Sequence, residues 1–176
     1  MNIHRRDFII NCGKASVLMN LAGIEIYAAD IKTATSISVF SKNFQWLTIE
    51  EMISVVKEIG YEGIDLTVRK GGHINPENVE NELPVAYEII NKAGLQLEMV
   101  VTDITSINSP NAGKIIKTLA RLGIFKYRLG YLFYNENEPI VNQVNKYENQ
   151  LRSLAELNRK HGVRGMYQNH QGDWFG

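Results

Sequence analysis

The chain has 176 residues, 44% of them hydrophobic and 22% charged, with nineteen Lys and Arg against nineteen Asp and Glu. That is the composition of a globular domain and excludes a disordered or fibrous chain. Zero formal charge argues against a nucleic-acid partner, and a single cysteine, Cys12, excludes an internal disulfide and a multi-cysteine zinc site. No apolar run approaches the roughly 18 residues of a membrane span.

The amino terminus reads as an export address. His4-Arg5-Arg6-Asp7-Phe8-Ile9-Ile10 places a twin-arginine pair before an apolar triplet, a mildly apolar stretch from Val17 to Ile24 follows, and Ala28-Ala29 offers small residues for cleavage. The expectation is a Tat-type signal over residues 1–29, an exported or periplasmic protein, and a folded part over residues 30–176. An amphipathic helix with an accidental arginine pair is the plainer alternative. Without residues 1–29 the chain has sixteen basic and seventeen acidic residues.

A repeat follows. Gly60, Gly94, Gly123 and Gly162 each close a segment with a basic residue near its end, and each precedes a short run rich in β-branched and aromatic residues. These runs are Tyr61 to Val68, Leu95 to Val101, Ile124 to Leu129 and Val163 to Gln168, with an opening strand over Ser36-Ile37-Ser38-Val39-Phe40. Upstream of the glycines lie four helices. The first has a capping box, Thr48-x-x-Glu51, before Met52, Ile53 and Val56. Pro84 is expected to begin the second. Ser109-Pro110 is expected to cap the third, before Ile115, Ile116 and Leu119. Val144, Tyr147, Leu151 and Leu154 mark the face of the fourth.

Alternating strands and helices require a parallel sheet. Five strands and four helices fit either an open doubly wound sheet or an incomplete (β/α)8 TIM barrel. The chain reaches Gly176 before any helix that could cover a fifth strand, which favours the barrel. No Gly-x-Gly-x-x-Gly follows the first strand, so nucleotide-binding versions lose weight.

Both architectures bind ligands at the carboxyl ends of their strands. His73 follows Gly71-Gly72 and precedes Asn75-Pro76-Glu77, which can start a short helix. His170 lies past the fifth strand beside Gln168 and Asn169. Asp103 ends the third strand as a possible base or ligand, with capping of the next turn as the alternative. Lys42 and Arg69 could meet a polyhydroxyl or anionic substrate, or stand as rim charges. Trp46 and Tyr131 could stack on a sugar or line the mouth. His161 ends a helix and reads as structural. Ser41 and Ser106 lack a nucleophile context.

The stretch from Gly60-Tyr61-Glu62-Gly63-Ile64-Asp65 through Thr67-Val68-Arg69-Lys70-Gly71-Gly72-His73, with Tyr167-Gln168-Asn169-His170-Gln171-Gly172, resembles the sugar phosphate isomerase/epimerase family of xylose isomerase-like TIM barrels. The resemblance runs from about residue 35 onward. It implies a barrel that acts on a ketose or related polyol through an enediolate, assisted by Mn²⁺, Mg²⁺, Co²⁺ or Zn²⁺. It also implies His73 and His170 as catalytic residues, Lys42, Trp46, Arg69, Asp103 and Asn169 as substrate contacts, and a metal ligand on strand five. Here that position holds Gln168, a neutral amide, and strands six to eight, which bring the other ligands, do not follow. The expectation is a partial barrel that is inactive alone and self-associates through exposed sheet edges. A keto-sugar or inosose dehydratase or lyase, and a non-catalytic sugar-binding half-barrel, remain open alternatives. An abasic-site endonuclease is a distant one.

Overall fold

The computed structural model describes residues 36–169. The elements alternate: β1 (Ser38–Phe40), α1 (Ile49–Ile59), β2 (Gly63–Thr67), α2 (Val79–Lys92), β3 (Gln96–Val101), α3 (Ala112–Leu122), β4 (Lys126–Arg128), α4 (Ile140–His161) and β5 (Arg164–Met166). All strand pairs are parallel, and the order is β1-β2-β3-β4-β5. A doubly wound sheet reverses its order at a switch point. A strictly sequential sheet, with each helix touching the next, is instead the opening of a barrel.

The two sides of the sheet differ in chemistry. On one side Ile64, Leu66, Val68 and Val100 are buried against the helices, with Met52, Val56, Leu83, Ile90, Ile116 and Leu119 facing them. On the other side lie Phe40, Asp65, Met99 and Arg128, all part-buried, together with the buried Thr67 and Val101. Period-two alternation along each strand sorts the residues this way.

The helix ends follow the repeat. Thr48 Oγ1 accepts from Glu51 N at 3.2 Å, while Glu51 Oε2 accepts from Thr48 N at 2.8 Å. The hydrogen bond from Thr48 lowers the Glu51 pKa below 4.5. Gly60, Gly94, Gly123 and Gly162 all have positive φ, between 67° and 94°, which explains why glycine recurs there.

Three expectations about the helices are corrected. The helix expected to begin at Pro84 is α2, and it begins at Val79, entered from a 3-10 turn over Pro76–Asn78. A proline inside a helix frees the carbonyl four residues back. Here that is Glu80 O, and Arg121 Nη2 of α3 donates to it at 3.2 Å. Ser109 does not cap α3. Its Oγ accepts from Thr105 N and Ser106 N at 3.0 and 3.1 Å, closing the preceding turn, and Asn111 takes the cap position with φ 59°. On α4, Leu154 is buried but Val144 is 45% exposed. Gln143 is buried instead, because its amide bonds Asn135 and Glu138 and so holds the loop that leads into the helix.

Candidate functional site

The carboxyl ends of the strands form the mouth of the sheet, and two groups of side chains lie there. The first belongs to β1 and β2. Ser41 and Thr67 are fully buried. Ser41 Oγ accepts from Thr67 N at 2.9 Å and donates to Thr67 Oγ1 at 3.2 Å. Thr67 Oγ1 also accepts from His73 N at 3.0 Å and lies 3.1 Å from His73 Nδ1. The Thr67 hydroxyl already accepts twice, so its own proton points at Nδ1, and this network places the hydrogen of the neutral imidazole on Nε2. Nε2 is buried and makes no hydrogen bond of normal geometry with the described residues, although the Phe44 backbone lies close enough to the ring to favour its charged form. Burial lowers the His73 pKa below 6.5, and the Phe44 backbone opposes the shift only in part.

The loop between Thr67 and His73 is tight. Gly72 N bonds Arg69 O at 2.9 Å, Ile74 N bonds Thr67 O at 3.1 Å, and the Gln45 amide donates to Gly71 O. A Cβ on Gly72 would stand 2.9 Å from the Thr67 side chain, so glycine is what lets the loop fold back on the strand. Thr67 is thus the clasp, holding His73 of the β2 loop on one side and Ser41, just past β1, on the other.

The second group draws on the ends of all five strands. Thr67, Val101, Arg128 and Met166 are register partners across four strands, so they share a row and a face. The Arg128 guanidinium lies 4.9 Å from the centroid of Phe40 and 5.4 Å from that of Tyr131. A β4 side chain therefore reaches the last residue of β1, three strands away, as only a strongly curled sheet allows. Arg128 Nη1 donates to Gln168 Oε1, while its Nε is buried without a partner. Arg69 also faces Phe40, at 5.8 Å, and its nearest acid is Asp103 at 4.0 Å. A Cβ on Gly130 would stand 2.8 Å from the Asp103 backbone, so the β3 and β4 loops share one mouth only because that residue is glycine.

One layer below, Asp65 has a pKa raised above 3.8. Burial is the main cause and Glu98 adds to it, whereas Arg128 and Lys126 pull the other way. Glu98 and Lys126 lie 3.5 Å apart on neighbouring strands.

The structure brings Arg69, Asp103, Gln168 and Tyr131 to one mouth, and His73 closes the loop that carries Arg69. Lys42 and Asn169 are exposed near the same end. Trp46 is 77% exposed, its ring tilted 50° against Phe44 at 6.3 Å. At the turn after Asp103, Thr102 Oγ1 accepts from Ile104 N. His170 lies outside the described residues, as do residues 1–29. Sequence reasoning missed Arg128, Phe40 and Asp65. The alternation Lys126-Tyr127-Arg128, with an aromatic on the buried side, was the available signal.

The divalent metal that the resemblance implies does not fit the described residues. Among them, no group of three or more His, Cys, Asp or Glu side chains could hold a metal ion. The one oxygen expected to ligate from strand five, Gln168 Oε1, already accepts from a guanidinium, whose positive charge would repel a metal ion there.

No protein-family profile matches the chain, and no curated protein matches its sequence. Solved structures match its shape. The probable 3-DHS dehydratase AsbF of Bacillus anthracis, involved in petrobactin synthesis, superposes with a TM-score of 0.57 at 19% identity, over 77% of this chain and 52% of that one. An L-ribulose 3-epimerase gives 0.50 at 17%, over 75% and 48%. A D-tagatose 3-epimerase-like protein gives 0.51 at 12%, over 78% and 55%. The chain spans about half the length of the solved structures it matches. At 12–19% identity the likeness shows the fold alone: the five parallel strands and four helices described here are those of a TIM barrel.

Proposed function

We propose that this chain holds a ketose or related polyol at the carboxyl ends of β1 to β5, as the substrate-binding part of a sugar isomerase or epimerase-type barrel. The observation behind this reading is the convergence of Arg69, Arg128, Gln168 and Tyr131 on Phe40 at the barrel mouth. The epimerase titles among the fold neighbours support the sugar class. In the full-length family a divalent metal supplies Lewis-acid activation; here the described side chains are assigned to binding and orientation. Gln168 and Asn169 offer amides to hydroxyls, Tyr131 and Trp46 offer faces for a sugar ring, and Lys42 and Asp103 stand at the rim. His73 positions the β2 loop. His170, outside the described residues, is left the proton-transfer role.

The test is incubation of the chain with ketoses in deuterated water, read by calorimetry and mass spectrometry. Metal-free binding is expected, with little deuterium incorporation by the chain alone. Failure of every ketose to bind overturns the reading. A dehydratase is the second reading, favoured by the likeness to AsbF, and loss of water from the product would establish it. Two further parts of the proposal lie in less-described regions. Export by residues 1–29 predicts that a reporter fused to that segment leaves the cytoplasm only in cells with a working twin-arginine system. Self-association through the β1 and β5 edges predicts a light-scattering mass that rises with concentration.

A further inference from the structure

We infer that the ligand of this site carries an anionic oxygen group, and that Arg128 is the residue that selects it, backed by Arg69. The inference rests on the sugar-site reading above and narrows its substrate class.

Arg128 is a fixed charge braced at the mouth, and the acid that senses it among the described residues, Asp65, lies one layer below. Among the described residues the Arg128 guanidinium forms no ion pair, and the hydrogen bond it makes goes to the neutral Gln168. Phe40 and Tyr131 hold the guanidinium on two sides, and Gln168 fixes its rotation. Such bracing lowers the entropy that a flexible arginine would lose on binding. The side chain leaves donors over. Nη1 is used, Nε has no partner, and Nη2 makes no hydrogen bond with the described residues.

Arg69 strengthens the case. Its guanidinium faces the same Phe40 ring from the β2 side, with its side chain only 15% exposed. Two cations on one aromatic residue repel each other, and among the described residues the ion-pair contact to either is the long one between Arg69 and Asp103. Asp103 is 64% exposed and stands at the limit of ion pairing with Arg69, at 4.0 Å. Asp65 lies one layer below Arg128, and burial outweighs the arginine's pull on its carboxyl. A carboxylate or phosphate between the guanidiniums would meet donors from both, in the forked geometry that arginine offers and lysine does not. A neutral hydroxyl would leave the excess charge in place.

Three probes separate the possibilities: D-fructose, D-fructose 6-phosphate and 5-keto-D-gluconate, each titrated calorimetrically against the full chain and against Arg128→Met and Arg128→Lys. Circular dichroism checks that each variant folds. The expected result is tighter binding of the phosphate or the keto acid than of fructose, with the preferred probe naming the anion. Arg128→Met should weaken the anionic probe roughly 10- to 100-fold, the size of a lost charge-assisted hydrogen bond, and should weaken fructose by less, so that the preference for the anion shrinks. Arg128→Lys should fall between. Should Arg128→Met fail to fold, the lysine variant and a salt titration of the parent take its place, since salt should weaken only the anionic probes. Fructose binding as tightly as both anions, or all probes weakened alike by the substitutions, would overturn the selection by Arg128 and leave the sugar site standing. Binding by none of the three would overturn both.

Discussion

At the end of β2, Ser41, Thr67 and His73 satisfy one another through four contacts of 2.9 to 3.2 Å, and the loop they hold is closed over them. At the ends of β4 and β5, Arg128 has one hydrogen bond, a buried Nε without a partner and no acid in ion-pair range among the described residues. The two regions sit on the same face of one curled sheet and each keeps one buried nitrogen without a hydrogen bond, His73 Nε2 and Arg128 Nε, but only the second region carries a fixed charge. A hydrogen-bonded lock among neutral groups stabilises the frame and gains nothing from a ligand. A braced cation with spare donors adds little to the frame and gains much from an anion. On our proposal the β2 end positions the loop and the β4–β5 end recognises the ligand.

The frame beneath both regions gives the largest expected effect. Leu66 is wholly buried between the sheet and its helices, so Leu66→Ala should lower unfolding stability by about 2–5 kcal/mol in urea titrations. A loss well under that range would mean the helix-side packing is looser than described. Thr67→Val tests the lock itself. It removes the hydroxyl that serves Ser41 and both His73 groups, and strands buried donors, for a cost of about 1–3 kcal/mol. Arg128→Met, in the absence of ligand, should cost less than Thr67→Val in the same titration. The reverse order would erase the contrast between the two ends.

The smallest effect is one of pH. The folded-state pKa of His73 is depressed below its ordinary 6.5, so the unfolded chain binds this proton more readily. Its contribution is intact above 6.5 and is lost as pH falls toward the lower folded value. Asp65 acts in the opposite sense, because its raised pKa favours the fold while protonated and that contribution fades as pH rises past the folded value. Unfolding curves of the parent and His73→Gln across this range isolate the histidine, since Asp65 is common to both. The parent should lose stability on acidification more steeply than the variant, and parallel curves would contradict the burial of His73.

Much of this was legible in the residues, and the reasons are physical. The four glycines could be read because a helix that turns into a strand needs a positive φ there, and the Thr48–Glu51 box because capping has a fixed spacing. Parallel pairing followed from alternation, but the sequential order did not, because it depends on how far the sheet curls. Pro84 and Ser109 misled because their local rules were overridden from elsewhere, by Arg121 reaching Glu80 O and by the Thr105–Ser109 turn. The site was read from the loops after each strand, so Arg128 and Phe40, the last residues of theirs, escaped notice. Ser41 was considered only as a nucleophile, whereas it is a buried structural partner of Thr67.

The central claim is that ligand enters at the carboxyl ends of the strands and meets Arg128. The direct measurement is an NMR titration of the ¹⁵N-labelled chain with 5-keto-D-gluconate and D-fructose 6-phosphate, following the Arg128 side-chain Nε–H and the backbone amides. The account predicts a shifted Arg128 Nε–H, with amide changes at Phe40, Tyr131 and Gln168. Changes gathered at Phe125, Lys126 and Gly162 by the amino ends, with Arg128 silent, would contradict it.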